Sequence, residues 1–137
     1  ERALSGPGLR ALHQALGVVQ GQSLPPADAP EAAAIVEAAL GGRDAHCAQV
    51  LDLFCGWLGA VAGDLALTLG ARGGVYIGGG IVPRLGTAFD RSPFRARFEA
   101  KGRFESYLRE IPVQLILSPT SPALRGAAEA LEMPDGV

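Results

Sequence analysis

The residues best suited to chemistry are the glycines of Gly73–Gly80, a segment that reads GGVYIGGG. Its apolar run Val75–Ile77 predicts a short buried strand, and three glycines follow before Ile81. Backbone approach by a ligand is unobstructed at such glycines, and the first amides of a helix starting there would point outward. We interpret the segment either as a ligand-binding loop or as an ordinary tight turn between a strand and a helix, and spacing alone favours the turn.

Two familiar nucleotide-binding patterns do not fit this segment. A dinucleotide-binding loop would have a third glycine where Pro83 stands. A phosphate loop of the Walker type would have Lys and Ser or Thr after the glycines, and the chain has Ile81 and Val82.

A second glycine-containing segment, Ser5–Gly8, precedes leucines at helical spacing. It could present amides to a substrate at a helix start, although a structural turn is the commoner explanation. Glu1, taken alone, would be a surface carboxylate. We treat His13 and His46 as isolated residues without partners, and we expect from neither a catalytic or metal-binding role.

Composition excludes several classes of function. The chain of 137 residues has 12 basic and 14 acidic side chains and a net charge of −2, which gives no footprint for nucleic acid or anionic lipid. The most apolar stretch, residues 53–63, is shorter than the roughly 20 residues that a bilayer requires. We therefore expect a soluble protein with no membrane and no nucleic acid among its partners.

The two cysteines, Cys47 and Cys55, are eight residues apart on a predicted helix. That spacing separates them by roughly 12 Å along the axis, too far for a disulfide. Neither belongs to a metal-ligand pattern, so no metal site is expected. Two buried, reduced thiols suit a cytoplasmic protein.

Periodicity and turn residues predict a helix-rich α/β chain with two parallel strands. The longest helix, capped by Asp44 and closed by Gly70, has one apolar stripe, and Gly59 and Gly63 on it predict close approach of another backbone. The other predicted elements are helices from Gly8 to Gly17, 28–40, 81–89, 92–101 and 121–132 and strands 73–77 and 111–117.

Four segments, in order, resemble those of bacterial glucokinases. Glu1–Leu9 resembles the family's ERxLSGPGL segment, and Gly73–Arg84 resembles its GGVxIxGGIVPR segment. Phe94–Phe104 is similar to FRxxFExKGRF, and Ile111–Val113 matches an IPV strand. The resemblance implies part of the large domain of an actin-like ATPase (ribonuclease H-like) fold, hexokinase type.

The resemblance also implies a function. Members transfer the γ-phosphoryl group of ATP to the 6-hydroxyl of glucose with Mg²⁺, in glycolysis, usually as homodimers. The family's sugar-binding glutamate corresponds to Glu1. Its adenosine-region glycines correspond to Gly78, Gly79 and Gly80, together with Gly74.

The family's phosphate loops, catalytic aspartate and glutamate–histidine sugar motif are absent from this sequence. We therefore expect residues 1–137 to be a single partial domain, the carboxy-terminal part of the large domain, with no catalytic residue and no Mg²⁺ ligand. Its last helix, 121–132, would reach towards the small domain. Two alternatives stay open: an interaction or dimerisation module from a fused regulator–kinase, and a degenerate relative without the chemistry.

Overall fold

The computed structural model describes residues 2–22, 29–118 and 122–132 of the chain. The regular elements in these ranges are, in order, α1 (Gly6–Val19), α2 (Ala32–Leu40), α3 (Ala45–Leu69), β1 (Val75–Ile77), α4 (Thr87–Arg91), α5 (Phe94–Glu99), α6 (Glu105–Arg109), β2 (Val113–Leu115) and α7 (Pro122–Glu132). Two short 3₁₀ turns, Val82–Leu85 and Gly102–Phe104, precede α4 and α6.

The two strands pair in parallel, as the sequence predicts. Val75 lies opposite Val113 and Ile77 opposite Leu115. The predicted fold class, a helix-rich α/β arrangement with two parallel strands, is confirmed for the described residues.

Helix α3 is the central element of the fold, because α1, α2 and α5 all pack against it. Asp44 caps its first turn and accepts hydrogen bonds from the amides of His46 and Cys47 at 2.8 and 3.1 Å. These bonds hold the pKa of the Asp44 carboxyl below its ordinary value, and the bond from the Cys47 amide is the largest cause. Gly70 ends the helix with φ 61°, a left-handed conformation that favours glycine.

The predicted close backbone approach on α3 is confirmed, and the partner is α5. A Cβ atom added at Gly59 would lie 2.1 Å from the carbonyl oxygen of Phe94. One added at Gly63 would lie 2.4 Å from the carbonyl oxygen of Phe98. The face with Gly59 and Gly63 is therefore covered by α5 of the same chain.

Arg95 on α5 fixes the chain entering β2. Its guanidinium donates hydrogen bonds to the backbone carbonyls of Ile111, Arg109 and Leu108 at 2.9, 2.7 and 3.3 Å. These carbonyls lie at the end of α6 and just before β2. The contact connects the α3–α5 pair to the sheet.

Two predicted helix boundaries need correction. The helix predicted over 81–89 is divided, because Gly86 adopts φ 51° between the 3₁₀ turn and α4. The start of the helix predicted over 28–40 falls partly outside the described residues. Glu31 is the N-cap of α2 but makes no capping hydrogen bond with its side chain. That carboxylate instead pairs with Arg10 at 2.8 Å.

Helix α3 also changes the argument about membranes. The apolar stretch at 53–63 lies within a helix of 25 residues, in which the flanking Asp52 and Asp64 occupy exposed positions. By length and composition that helix could cross a bilayer, while 50% of its most apolar window is buried in the protein. Burial against α1, α2 and α5 is the property of a core helix, and we interpret it as one.

The α3–α5 contact generates a test with a matched control. We expect Gly59→Ala to lower the free energy of unfolding by about 2–3 kcal/mol, because its methyl group would meet the Phe94 backbone. Gly56→Ala places its Cβ 3.6 Å from Arg97 Cγ and 3.7 Å from Pro93 Cγ, which is ordinary contact. The control should be neutral, or more stable by up to about 1 kcal/mol from helix propensity. Urea unfolding measures both, and equal losses would contradict the close approach.

Candidate functional site

A cavity of about 320 Å³ brings together the two glycine-containing segments singled out in the sequence. One wall is Leu4, Ser5 and Gly6, and the other is the run from Ile77 through Gly78–Gly80 to Val82. Phe54 and Leu58 of α3 form the floor. The sequence predicts the two segments separately but gives no sign that they face each other.

The first wall is shaped by the start of α1. Ser5 is the N-cap, and its Oγ accepts a hydrogen bond from the Gly8 amide at 3.1 Å. A Cβ at Gly8 would lie 2.4 Å from the Ala3 carbonyl oxygen, so only glycine allows the preceding chain to fold back there. Pro7 has no N–H, which leaves Gly6 as the first-turn residue whose amide is not engaged by Ser5. The start of α1, with the positive end of its helix dipole, therefore borders the cavity.

The second wall is a glycine loop at the carboxyl end of β1. The Ile77 carbonyl accepts the Ile116 amide at 2.9 Å, and the chain then leaves the sheet through three exposed glycines. Gly79 has φ 110°, which side chains other than glycine's rarely adopt. A Cβ at Gly80 would meet no atom within 4 Å. No long helix begins after this loop, because a 3₁₀ turn follows, so the expected set of outward helix amides is not present at this wall.

The remaining predicted site residues are Gly74 and Glu1. Gly74 does not line the cavity. It precedes β1 with φ 132°, and a Cβ there would lie 3.3 Å from the Pro112 carbonyl oxygen. Glu1 falls outside the described residues.

The cavity can bind but does not contain groups for catalysis. Its described lining has no titratable side chain, so it offers no general base and no phosphate-binding cation. Leu4, Phe54, Leu58 and Ile81 supply apolar surface, and Ser5 and the backbone supply the polar groups. The volume is at the lower end of the range of about 300–1,000 Å³ for small-molecule pockets. Such a lining suits a flat, largely uncharged group.

Neither cysteine is positioned as a nucleophile. Both thiols are buried and free. Burial raises the pKa of Cys47 to about 11, with a further contribution from the Asp44 carboxylate. Burial likewise raises the pKa of Cys55 to about 11. At neutral pH both stay protonated and unreactive, as their predicted structural role requires.

The prediction that His13 and His46 are isolated is wrong. Their rings lie edge to face with centroids 4.5 Å apart. They come from α1 and from the first turn of α3, so only the folded structure brings them together. Among the described residues, no group of three or more His, Cys, Asp or Glu side chains could hold a metal ion.

Another groove, of about 360 Å³, is larger than the glycine cavity. It lies beside Trp57 and Arg97, and its other lining residues come from α1, from α3 and from Pro93. We choose the glycine cavity as the candidate site because exposed backbone, a helix start and a strand end converge on it.

Comparison with known proteins assigns the family. The family model described as "Glucokinase" matches residues 1–133. The glucokinase of Aromatoleum aromaticum is 61% identical over 132 residues, covering 96% of this chain and 39% of the relative. That of Chromobacterium violaceum is 57% identical, covering 96% of this chain and 36% of the relative.

The fold agrees with a solved structure. The crystal structure of glucokinase from an Antarctic psychrotroph matches with a TM-score of 0.81 and 38% identity, over 97% of this chain and 40% of that one. The architecture is therefore that of a partial α/β kinase domain. The chain belongs to the glucokinase family. It spans about 39% of the length of the curated relative from A. aromaticum.

The glycine loop generates a test of its backbone. We expect Gly79→Ala to cost about 1–3 kcal/mol of stability, because alanine is strained at a positive φ of this size. Gly80→Ala should change stability by less than about 0.5 kcal/mol, because its site is open and its φ is not positive. Chemical denaturation of both variants measures the difference. A Gly80→Ala variant as destabilised as Gly79→Ala would show that the loop has another conformation.

Proposed function

We propose that this chain is the nucleotide-side part of a glucokinase, an enzyme that phosphorylates glucose at its 6-hydroxyl with ATP and Mg²⁺ in cytoplasmic glycolysis. In this proposal the chain is the carboxy-terminal part of the large domain. The glycine cavity holds the adenosine end of ATP, and Glu1 binds the sugar hydroxyls. The single observation that supports the proposal most is the convergence of Ser5–Gly6 and Gly78–Gly80 on one cavity.

The chemistry of the lining suits a nucleoside. A purine has apolar faces and polar edges, so apolar side chains can pack on its faces while backbone groups hydrogen-bond to its edges. Leu4, Leu58 and Ile81 provide the apolar contacts, and the glycine backbone can approach the ribose without steric hindrance. The positive end of the α1 helix dipole would stabilise the negatively charged phosphate groups that extend from the ribose.

Phosphoryl transfer itself requires groups that the described cavity lacks. A base must accept the proton of the attacking hydroxyl, and cations must neutralise the transferred phosphoryl group. We place these groups, and the ligands of Mg²⁺, in the part of the parent protein that this chain does not span. The isolated chain is accordingly inactive, and it binds ATP weakly or not at all.

A chimera tests the two substrate sites separately. Residues 1–133 would replace the matching segment of the A. aromaticum glucokinase, and the product should phosphorylate glucose. In this chimera Glu1→Gln should raise KM for glucose by about tenfold or more, because a charged hydrogen-bond acceptor is lost. Gly79→Ala should instead raise KM for ATP, and Gly73→Ala is its control, because Gly73 does not line the cavity and a Cβ added there meets no atom within 4 Å.

The outcomes separate the parts of the proposal. An inactive chimera that folds would contradict the assigned function. If Glu1→Gln raised KM for ATP, or Gly79→Ala raised KM for glucose, the assigned sites would be contradicted but the assigned function would not. The isolated chain, titrated with ATP in a calorimeter, is the reference. A micromolar affinity would contradict the proposal that tight ATP binding also requires the part of the parent protein that this chain does not span.

We also propose that two copies of the chain associate through the exposed side of α3. Trp57, Val61, Leu65 and Leu69 form a row at four-residue spacing, with exposures of 42%, 45%, 54% and 74%. The predicted apolar stripe includes the last three, and the chain does not bury them. Their contiguous apolar surface is typical of a protein contact. A contact with two-fold symmetry would use this same row on both copies.

Sedimentation analysis of the chain tests the association. We expect a dimer for the unmodified chain and a monomer for Val61→Asp, because a buried, unpaired carboxylate in a symmetric contact is costly. Leu131→Asp is the matched control, since Leu131 is 88% exposed on α7 and lies outside the row. A monomeric unmodified chain, or loss of the dimer in the control alone, would contradict this surface.

A further inference from the structure

The contact between α1 and α3 contains a buried histidine with an unsatisfied nitrogen. His13 is 7% exposed, and its Nδ1 has no hydrogen-bond partner among the described residues. Its ring meets that of His46 at an interplanar angle of 87°. Buried polar atoms are nearly always paired, so an orphan of this kind needs an explanation.

His46 connects the same two helices. Its Nε2 lies 2.9 Å from the backbone carbonyl oxygen of His13 and therefore donates to it. Its Nδ1 lies 3.0 Å from Oε1 of Gln20, the residue that caps the end of α1, and in a neutral ring with the proton on Nε2 this nitrogen has no proton to donate. Gln20 in turn donates to Gln49 of α3 at 2.6 Å. The second half of α1 is thus held to α3 by a polar cluster centred on the two imidazoles.

We propose that the His13–His46 contact is an acid-sensitive latch, which holds α1 on α3 while His13 is neutral and loosens when His13 takes up a proton. A protonated imidazole is a donor at both nitrogens, and Nδ1 of His13 has no acceptor to receive that second bond. The positive charge would also be buried beside a second imidazole. Release of α1 would move Leu4–Gly6, the wall of the glycine cavity that α1 supports.

The surroundings of His13 disfavour its protonated form, as the latch requires. Burial lowers the pKa of His13, and the neighbouring His46 lowers it further, while the Asp44 carboxylate raises it by a smaller amount. Cys47 of α3 stays neutral because its pKa is raised to about 11. The charged side chains of α1 and α2 pair elsewhere, Arg10 with Glu31 and Glu37 with Arg43.

The sign of the pH effect follows from these contacts. His13 binds its proton less tightly in the folded chain than in the unfolded chain, where its pKa is near 6.5. The stabilising contribution of neutral His13 is therefore complete above the ordinary pKa and decreases as the pH falls below it. The Asp44 carboxyl takes up its proton only at more acidic pH, because its pKa in the folded chain is below its ordinary value.

Amide hydrogen exchange of the chain as a function of pH tests the latch independently of enzymatic activity. After correction for intrinsic rates, exchange in α1 should accelerate relative to the centre of α3 by up to about tenfold per pH unit below 6.5. His13→Phe keeps an aromatic ring without a titrating group, and its α1 exchange should not depend on pH in this range. His46→Gln keeps a donor for the His13 carbonyl but removes the second imidazole, so His13 should titrate closer to 6.5 and the total acceleration of exchange in α1 on acidification should be smaller.

Three results would overturn the proposal. The first is an unchanged pH dependence in His13→Phe, and the second is equal acceleration in α1 and α3, which would indicate global unfolding. The third is a pKa of His13 at or above 6.5, measured by NMR titration of its ring in the unmodified chain. This measurement does not depend on whether the variants fold. A pKa below that value, with selective opening of α1, supports the latch.

Discussion

Two glycines on α3 impose the constraint on which the rest of the structure depends. At Gly59 and Gly63 the backbone of α5 lies where a side chain would otherwise be. This approach sets the position of α5, and Arg95 of α5 then holds the backbone that leads into β2. Because β2 pairs in register with β1, the place where Gly78–Gly80 leave the sheet is determined by the same contact.

The opposite wall of the cavity depends on α3 through another route. Helix α1 packs on α3, and its capped start carries Ser5 and Gly6 to the cavity. Phe54 and Leu58 of α3 lie between the two walls. One helix thus supports both glycine segments, so the cavity is not a meeting of two independent loops. Its lack of titratable groups agrees with a chain that covers 39% of a relative.

Residue types close in the sequence predicted both ends of helix α3 well. The cap at Asp44 and the end at Gly70 were predictable because each satisfies helix-terminal backbone groups within a few residues. Gly59 and Gly63 predicted a close neighbour, although not which one. The exposure of Val61 and Leu65 was not predictable, since periodicity identifies an apolar face and not what covers it. The break at Gly86 depends on a positive φ that the sequence alone does not specify.

The features that depend on contacts between residues far apart in the sequence were missed, because local spacing carries no information about such contacts. His13 and His46 are separated by the whole of α2, and no spacing rule pairs them. The joining of Ser5–Gly6 with Gly78–Gly80 likewise spans most of the chain. The resemblance to glucokinases predicted nucleotide binding at the second segment. The structure adds that both segments face one cavity.

Photoaffinity labelling most directly tests whether this cavity holds the adenosine of ATP. An ATP analogue with a photoreactive azido group on the adenine would be irradiated with the full-length parent enzyme, and the labelled peptides would be mapped. We expect the label on Leu4–Gly6 or on residues 77–82, and excess ATP should suppress it. Labelling confined to the groove beside Trp57, or to segments outside this chain, would contradict the assignment.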